Sequence, residues 1–251
     1  MTVESQKVLT LALDTSGPVG SVALREAGVL LAEQSLHLGV HHGQSLVPEV
    51  QQLFRNCERQ IRDCSLVAVS IGPGSFTGLR VGVVFAKTLA YATGCQVAAI
   101  NTLLAISHNA PADVDRVQVV SDAQRGELFV EIFDRQPCGR WRSSLPVEIV
   151  NGDKWAAGLD DKAIVMGPGL EKFAAKLVGR CRILDPLTWT PKASRLAELG
   201  EQAAGDSSLS DLWALEPSYL RKSSAEEKWE ARHQAVADSR GSRVPQAADR
   251  L

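Results

Sequence analysis

Asp14 is the first residue whose type and position could support chemistry. It ends an apolar run over residues 8–13 and is followed by Thr15 and Ser16. A carboxylate at the end of a buried strand can orient a metal-bound water, and the N–H groups of the turn behind it can hold a phosphate. The alternative is structural, because an aspartate often accepts hydrogen bonds from its own turn. The residues alone leave both interpretations of Asp14, Thr15 and Ser16 open.

A glycine-rich loop, residues 72–78, is the second candidate. Its sequence is GPGSFTG, and it joins an apolar run to an amphipathic segment. Glycines that expose N–H groups at a helix N-terminus can bind an anion. The loop lacks the Gly-Lys-Ser/Thr of a Walker A motif and is not a GxGxxG motif. It fits an anion site or a tight strand-to-helix turn.

Small residues recur every fourth position in the helix predicted after this loop: Gly78, Gly82, Ala86 and Ala90. Such a ridge allows another backbone to approach closely. The neighbour could be a helix of a partner protein or a strand of this chain's own sheet.

Metal and nucleophile sites have little support. His37 and His41 are four apart, but Gly39 lies between them in a segment joining a strand to a helix, which is poor context for a metal pair. No Ser, His and carboxylate set forms a nucleophile triad. The five cysteines include no CxxC pair, which argues against a disulfide framework and a zinc knuckle.

The elements that position these residues follow the order βββαβαβα, the order of the ribonuclease-H-like fold. Apolar runs and alternation predict strands, among them an opening three-stranded antiparallel meander and a short strand over 147–150. The 3.6-residue periodicity predicts helices, among them the segments 170–178 and 193–204. A strand, an aspartate turn and a hairpin strand recur at Asp122, which suggests a duplicated unit. We therefore expect an α/β protein with tandem ribonuclease-H-like (actin-like, ASKHA-like) domains, mixed sheets flanked by helices and a reduced second domain. The predicted ranges are 1–105, 106–221 (its last helices able to pack on the first domain) and a polar, disordered tail over 222–251.

The charge balance limits the partners. Lys and Arg total 27 against 29 Asp and Glu, a formal charge of −2. A protein that binds tRNA by itself usually carries a basic surplus to neutralise phosphates. The chain has no secretory signal and no apolar run long enough to span a membrane, so we expect a cytoplasmic protein without membrane contact.

Several motifs together resemble the TsaB (YeaZ-like) family of the bacterial tRNA threonylcarbamoyladenosine (t6A) machinery. The resemblance covers residues 8–221, and its most specific element is GPGSFTGLRVG over residues 72–82. The other blocks are DTS at 14–16, HGQSLVP at 42–48, AK at 86–87, LA at 89–90, DAQRGE at 122–127 and PSYLR at 217–221. The related family TsaD carries two metal-binding histidines soon after its fifth strand, where this chain has Thr102 and Ile106.

The resemblance implies a non-catalytic scaffold or activator subunit, a pseudo-enzyme with Asp14, Thr15 and Ser16 as a vestigial nucleotide turn. It implies a heterodimer with TsaD through the first-half helices, a ternary complex with TsaE, tRNA contact only through the complex, and homodimerisation when the partner is absent. This chain would bind no cofactor or metal alone, with ATP and metal on the partner subunits. The predicted contact residues are Leu46, Val50, Leu53, Leu79, Gly82, Val83 and Ala86.

Two enzymatic alternatives remain. An active kinase or ATPase of the same fold would use Asp14, with Asp122 as a second carboxylate, and predicts nucleotide binding by the isolated chain. A metalloprotease, an older idea for this family, needs zinc ligands that the sequence does not offer.

Overall fold

The first half of the chain forms a five-stranded mixed sheet. The computed structural model describes residues 8–37, 42–221 and 229, and those up to Ser218 belong to one compact unit. The strands are β1 (Leu9–Asp14), β2 (Val19–Glu26), β3 (Val29–His37), β4 (Leu66–Gly72) and β5 (Gln96–Asn101), in spatial order β3-β2-β1-β4-β5. β1 to β3 form the predicted antiparallel meander, and β4 and β5 continue parallel to β1.

Two helices, α1 (His42–Asn56) and α2 (Phe76–Thr93), cover one face of this sheet. Their apolar stripes supply the fully buried side chains of Val50, Leu53 and Phe54 from α1 and of Leu79 and Ala86 from α2. Ser75 caps α2, since its hydroxyl accepts a hydrogen bond from the Gly78 amide at 3.3 Å. Gly94 ends the helix with a left-handed φ of 75°.

A second sheet repeats the topology of the first. It follows α3 (Thr102–Ser107) and contains β6 (Arg116–Asp122), β7 (Glu127–Arg135), β8 (Trp141–Asn151), β9 (Ile164–Met166) and β10 (Arg182–Ile183). Its order is β10-β9-β6-β7-β8, with β6 to β8 antiparallel and β9 and β10 parallel to β6. The repeat confirms the prediction of a tandem α/β fold. The part of the chain built on the second sheet is reduced, since its helices α4 (Gly152–Gly158) and α5 (Ala174–Leu177) are short.

The helix α6 (Ala193–Gly205) returns to the first sheet and covers its other face. Close approach depends on small residues, because a Cβ on Gly200 would lie 2.7 Å from the Cβ of Ala68. At its start, the Ala193 amide donates a 2.9 Å hydrogen bond to the Ser21 hydroxyl on β2. The predicted domain limits at 105 and 221 stay predictions.

Some elements differ from the sequence prediction. The helix predicted over 170–178 is a 3-10 turn, Pro168–Lys172, followed by the single turn of α5. The short strand predicted over 147–150 is part of the longer β8, whereas α4 and the two-residue β10 were missed because neither has a detectable period. The predicted tail lies outside the described residues apart from Trp229. No helix in the described part is long and apolar enough to cross a membrane.

Candidate functional site: a closed strand-end turn and an exposed helix surface

The Asp14 turn is joined by hydrogen bonds to the glycine-rich loop. The Thr15 hydroxyl donates to the carbonyl oxygen of Gly78 at 2.8 Å, and the Ser75 amide donates to the carbonyl oxygen of Ser16 at 2.7 Å. The Ser16 amide donates to Oδ1 of Asp14 at 3.2 Å. Asp14 therefore accepts from an N–H group of its own turn, as the structural interpretation of this turn expects.

Glycines make this contact close. A Cβ on Gly78 would collide with the carbonyl oxygen of Thr15, and one on Gly82 would collide with the Thr15 hydroxyl. On Gly74 it would lie 2.6 Å from the carbonyl oxygen of Ser16. The start of the small-residue ridge thus packs against this chain's own turn after β1, which answers the question that the spacing left open.

The carboxyl group of Asp14 is closed off from solvent. Asp14 and Thr15 have 0% exposed surface and Ser16 has 7%, so a metal-bound water cannot reach the carboxyl group from solvent. Burial raises the pKa of Asp14, and the hydrogen bond from the Ser16 amide only partly opposes this effect. A carboxyl group that is pushed toward its neutral form is a poor ligand for a cation.

Asp122 occupies the equivalent position in the second sheet but has different surroundings. Its Oδ1 accepts a hydrogen bond from the Gln124 amide at 2.9 Å, and its Oδ2 forms a 2.5 Å ion pair with Lys172. The turn after it has left-handed φ angles at Gln124 (69°) and Arg125 (55°). Both carboxylate oxygens of Asp122 therefore already have partners in the second half of the chain.

The seven predicted contact residues require a correction. Leu46, Val50, Leu53, Leu79, Val83 and Ala86 are each 3% exposed or less, and Gly82 is buried against Thr15. These residues form the core face of α1 and α2, so their side chains cannot contact another molecule while the fold is intact. Periodicity identified a buried face correctly, but the surface that it is buried against is this chain's own sheet.

The opposite side of α2 carries exposed apolar side chains. Val84 is 62% exposed and Tyr91, two turns later on the same side, is 74% exposed. The Tyr91 ring meets the ring of Trp213 edge to face, with centroids 6.1 Å apart, and Trp213 is 72% exposed. We call Val84, Tyr91 and Trp213 the α2 aromatic surface.

Trp213 is held in place by the segment that carries it, residues 210–218. Lys87 of α2 donates from Nζ to the carbonyl oxygens of Trp213 and Leu215 at 3.3 and 3.2 Å, and the Leu215 side chain is 4% exposed. At the two ends, the Ser210 amide donates to Val97 and the Ser218 amide donates to Ile71. The sequence prediction missed Trp213, because nothing in the local pattern links it to a helix more than a hundred residues earlier.

Comparison with known proteins gives a consistent assignment. The family model "TsaD: tRNA N6-adenosine threonylcarbamoyltransferase" matches residues 37–135. The tRNA threonylcarbamoyladenosine biosynthesis protein TsaB of Bacillus subtilis is 28% identical over 226 residues, which cover 87% of this chain and 96% of the relative. TsaB of Escherichia coli is 32% identical over 133 residues, 52% of this chain and 57% of that protein.

A solved structure, YeaZ from Pseudomonas aeruginosa, superposes with a TM-score of 0.74 at 25% identity, covering 85% of this chain and 100% of YeaZ. The chain is a TsaB/YeaZ-like protein.

Two positions of this TsaB-like chain matter for comparison with the TsaD family. Thr102 is 2% exposed, and its hydroxyl accepts a hydrogen bond from the Gly72 amide at 3.2 Å. Ile106 is fully buried in the core of the second sheet. Both residues are therefore used in packing. Among the described residues, no group of three or more His, Cys, Asp or Glu side chains is arranged to hold a metal ion.

Proposed function

We propose that this chain takes part in the biosynthesis of t6A at adenosine 37 of tRNA as a non-catalytic subunit that pairs with a TsaD-type transferase. The names of the TsaB relatives and the match to the TsaD family model support the pathway. The observation that carries the subunit role is the exposed Tyr91–Trp213 pair, in which Lys87 of α2 hydrogen-bonds the backbone that carries Trp213.

The closed turn after β1 supports the absence of catalysis by this chain. Asp14 and Thr15 are enclosed by the glycine loop. The resemblance to the TsaD family implies that Thr102 and Ile106 stand where that family has histidines. We therefore place ATP and metal on the partner subunits, with tRNA and TsaE joining through the assembled cytoplasmic complex. The kinase alternative loses support for the same reason, because it needs Asp14 to be accessible.

We move the proposed partner contact from the buried face of α1 and α2 to the α2 aromatic surface. Exposed, well-held aromatic side chains are the type of residue that contributes most binding energy at protein interfaces. Tyr91 and Trp213 restrict each other's rotation, so little side-chain entropy is lost when a partner covers them. This surface belongs to the predicted partner-binding domain, residues 1–105, extended by the segment 210–218.

The first experiment is size-exclusion chromatography with light scattering on this chain alone and co-expressed with TsaD from the same organism. The proposal expects a stable one-to-one complex, and no ATP turnover by the isolated chain. The chain alone would elute as a monomer or as a homodimer that TsaD dissociates. Failure to form the complex, together with ATP hydrolysis by the isolated chain that Asp14→Asn abolishes, would replace the subunit role with the kinase alternative.

A further inference from the structure

Cys64 and Cys95 lie side by side where two neighbouring parallel strands begin. The ladder between β4 and β5 starts with Leu66 opposite Gln96, and the Gln96 amide donates to the carbonyl oxygen of Ser65 at 3.0 Å. One step earlier, Cys95 therefore lies opposite Ser65, with Cys64 as its diagonal neighbour. A strand spacing of about 4.8 Å and a rise of about 3.3 Å per residue give a Cα separation of roughly 6 Å. That separation lies within the range that a disulfide spans. Both side chains enter the same apolar cluster, because Cys64 ends a 3-10 turn before β4 and does not follow the alternation of the strand.

The two thiols already interact. Both belong to the same buried apolar cluster, and their interaction there lowers the pKa of the Cys95 thiol and raises that of the Cys64 thiol. Cys95 is therefore the group that becomes a thiolate, whereas the Cys64 thiol keeps its proton and donates it to the carbonyl oxygen of Leu66 at 3.2 Å. The thiolate is the nucleophilic form of cysteine, so the pair has a defined attacking member and a defined resolving member.

The pair lies just below the surface. Cys64 is 5% exposed to solvent and Cys95 is 9% exposed. Their chain neighbours Ser65 and Gly94 are exposed, and nothing lies within 4 Å of a Cβ built on Gly94. A small oxidant reaches such a position more readily than a bulky disulfide does.

We propose that Cys64 and Cys95 are a reversible redox-modification site that a hydroperoxide oxidises to an intramolecular disulfide. The Cys95 thiolate attacks one peroxide oxygen, the O–O bond breaks, and the leaving oxygen takes a proton. The resulting sulfenic acid on Cys95 is attacked by the sulfur of Cys64, which loses its proton, and the sulfenic oxygen leaves as water. In total the two thiols give up two electrons and two protons, and hydrogen peroxide becomes two molecules of water.

The disulfide would close a loop that contains β4 and all of α2. It would join Cys95, which follows the α2 C-cap, to Cys64, which lies two residues before the start of β4. A thiol reductant reopens it by exchange. This site does not depend on the proposed role in t6A biosynthesis, because it needs only the register of β4 and β5.

The test is thiol mapping of the full chain after exposure to hydrogen peroxide. The protein is reduced, treated with peroxide, unfolded in an alkylating reagent and analysed by mass spectrometry. We expect Cys64 and Cys95 to lose alkylation together, with a cross-linked peptide lighter by two hydrogen atoms that dithiothreitol restores. Modification of Cys138, an exposed thiol, with Cys64 and Cys95 both still fully alkylated would overturn the proposal.

Single variants separate the two roles. Cys64→Ser should leave Cys95 as a sulfenic acid that dimedone captures, whereas Cys95→Ser should leave Cys64 unoxidised at the same peroxide dose. Cys138→Ser and Cys57→Ser are matched controls in which the Cys64–Cys95 bond still forms. A bond that disappears in either control, or dimedone labelling of Cys64 in the Cys95→Ser chain to the same extent as Cys95 in the Cys64→Ser chain, would contradict the assigned roles.

Discussion

The Thr15 hydroxyl donates a 2.8 Å hydrogen bond to the carbonyl oxygen of Gly78, which is 63 residues later in the chain. The same hydroxyl faces the α-carbon of Gly82, one turn further along α2. The turn after β1 and the first turns of α2 are therefore one packed unit. This contact explains why the chain has glycine at positions where a helix ordinarily favours alanine.

Alanine at Gly78 or Gly82 should destabilise the protein through this contact. The added Cβ meets the Thr15 carbonyl oxygen or hydroxyl, and overpacking of this kind typically lowers the free energy of unfolding by ~1–3 kcal/mol. Urea unfolding followed by circular dichroism measures the change. Gly158→Ala is the matched control, since nothing lies within 4 Å of its Cβ and it should be neutral or slightly stabilising. Equal stabilities for the Gly82→Ala and Gly158→Ala chains would show that the contact is not tight in solution.

Asp14→Asn should change how stability depends on pH. Burial raises the folded-state pKa of Asp14 above its ordinary value of 3.8, so the folded chain binds this proton more tightly than the unfolded chain. In the wild-type chain, Asp14 contributes most to the free energy of unfolding below its unfolded-state pKa. This contribution is lost as the pH rises through its folded-state pKa. The variant cannot ionise, and its Oδ1 can still accept from the Ser16 amide. The variant should therefore gain stability relative to wild type between acid and neutral pH.

The measurement is the difference in unfolding free energy between the two chains in urea at a series of pH values. Taking the difference between the two chains cancels the contributions of other titrating groups. One of these is Glu131, whose pKa is also raised by burial. A difference that is constant with pH would mean that Asp14 is as solvated in the folded chain as in the unfolded one, and would make a metal-binding role credible again.

The sequence predicted the longer strands and helices because each of them has a clear period, but it could not say what each apolar face packs against. The stripe of Val50 and Leu53 on α1 predicted a buried face, and assigning that face to a partner was an inference beyond the pattern. The neighbour of α6 was also left open, since the last helices of the second range were predicted as able to pack on the first domain, and α6 packs on the first sheet through Gly200 and Ala68. Periodicity reports burial along one element, whereas the choice of neighbour depends on the whole chain.

The importance of the exposed side of α2 could not be inferred from the sequence for a related reason. Tyr91 is a single aromatic residue near the end of a helix, and isolated exposed apolar residues are normal. Its significance comes from Trp213, which a lysine and the buried Leu215 hold beside it. Only the folded chain brings these residues together.

Tyr91→Ala and Trp213→Ala should each weaken the complex with TsaD. Removal of a central aromatic residue at an interface commonly costs more than ~1.4 kcal/mol, a loss of about tenfold in affinity. Titration calorimetry or biolayer interferometry with purified TsaD measures the dissociation constant. Both side chains are over 70% exposed, so the unfolding free energy should change little.

Val178→Ala and Leu187→Ala are the matched controls for this experiment. These side chains are 77% and 80% exposed but lie in the second half of the chain, outside the α2 aromatic surface. They should leave the affinity for TsaD unchanged. If the control and test variants bind alike, the contact with TsaD lies elsewhere on the chain, although the proposed subunit role would stand.

The contact between Asn101 and Glu131 should be an energetic link between the two sheets. Asn101 ends β5, and its Nδ2 donates to Oε2 of Glu131 on β7 at 2.9 Å. Its Oδ1 also caps α3 by accepting from the amides of Leu103 and Leu104 at 2.7 and 3.1 Å. Asn101→Ala removes both interactions, and the lost cap alone should lower the unfolding free energy by ~0.5–2 kcal/mol.

Asn101→Asp separates the cap from the link. An aspartate keeps the cap but brings a second carboxyl group to Glu131, which is 5% exposed. At neutral pH this chain should be less stable than the Asn101→Ala chain, and Glu131→Gln in the same chain should restore stability by supplying an amide donor. Urea unfolding of the single and double variants gives a coupling energy, expected to exceed ~0.5 kcal/mol for residues in direct contact. Additive effects would show that Asn101 serves only as the α3 cap and that the two sheets are joined by their apolar contacts.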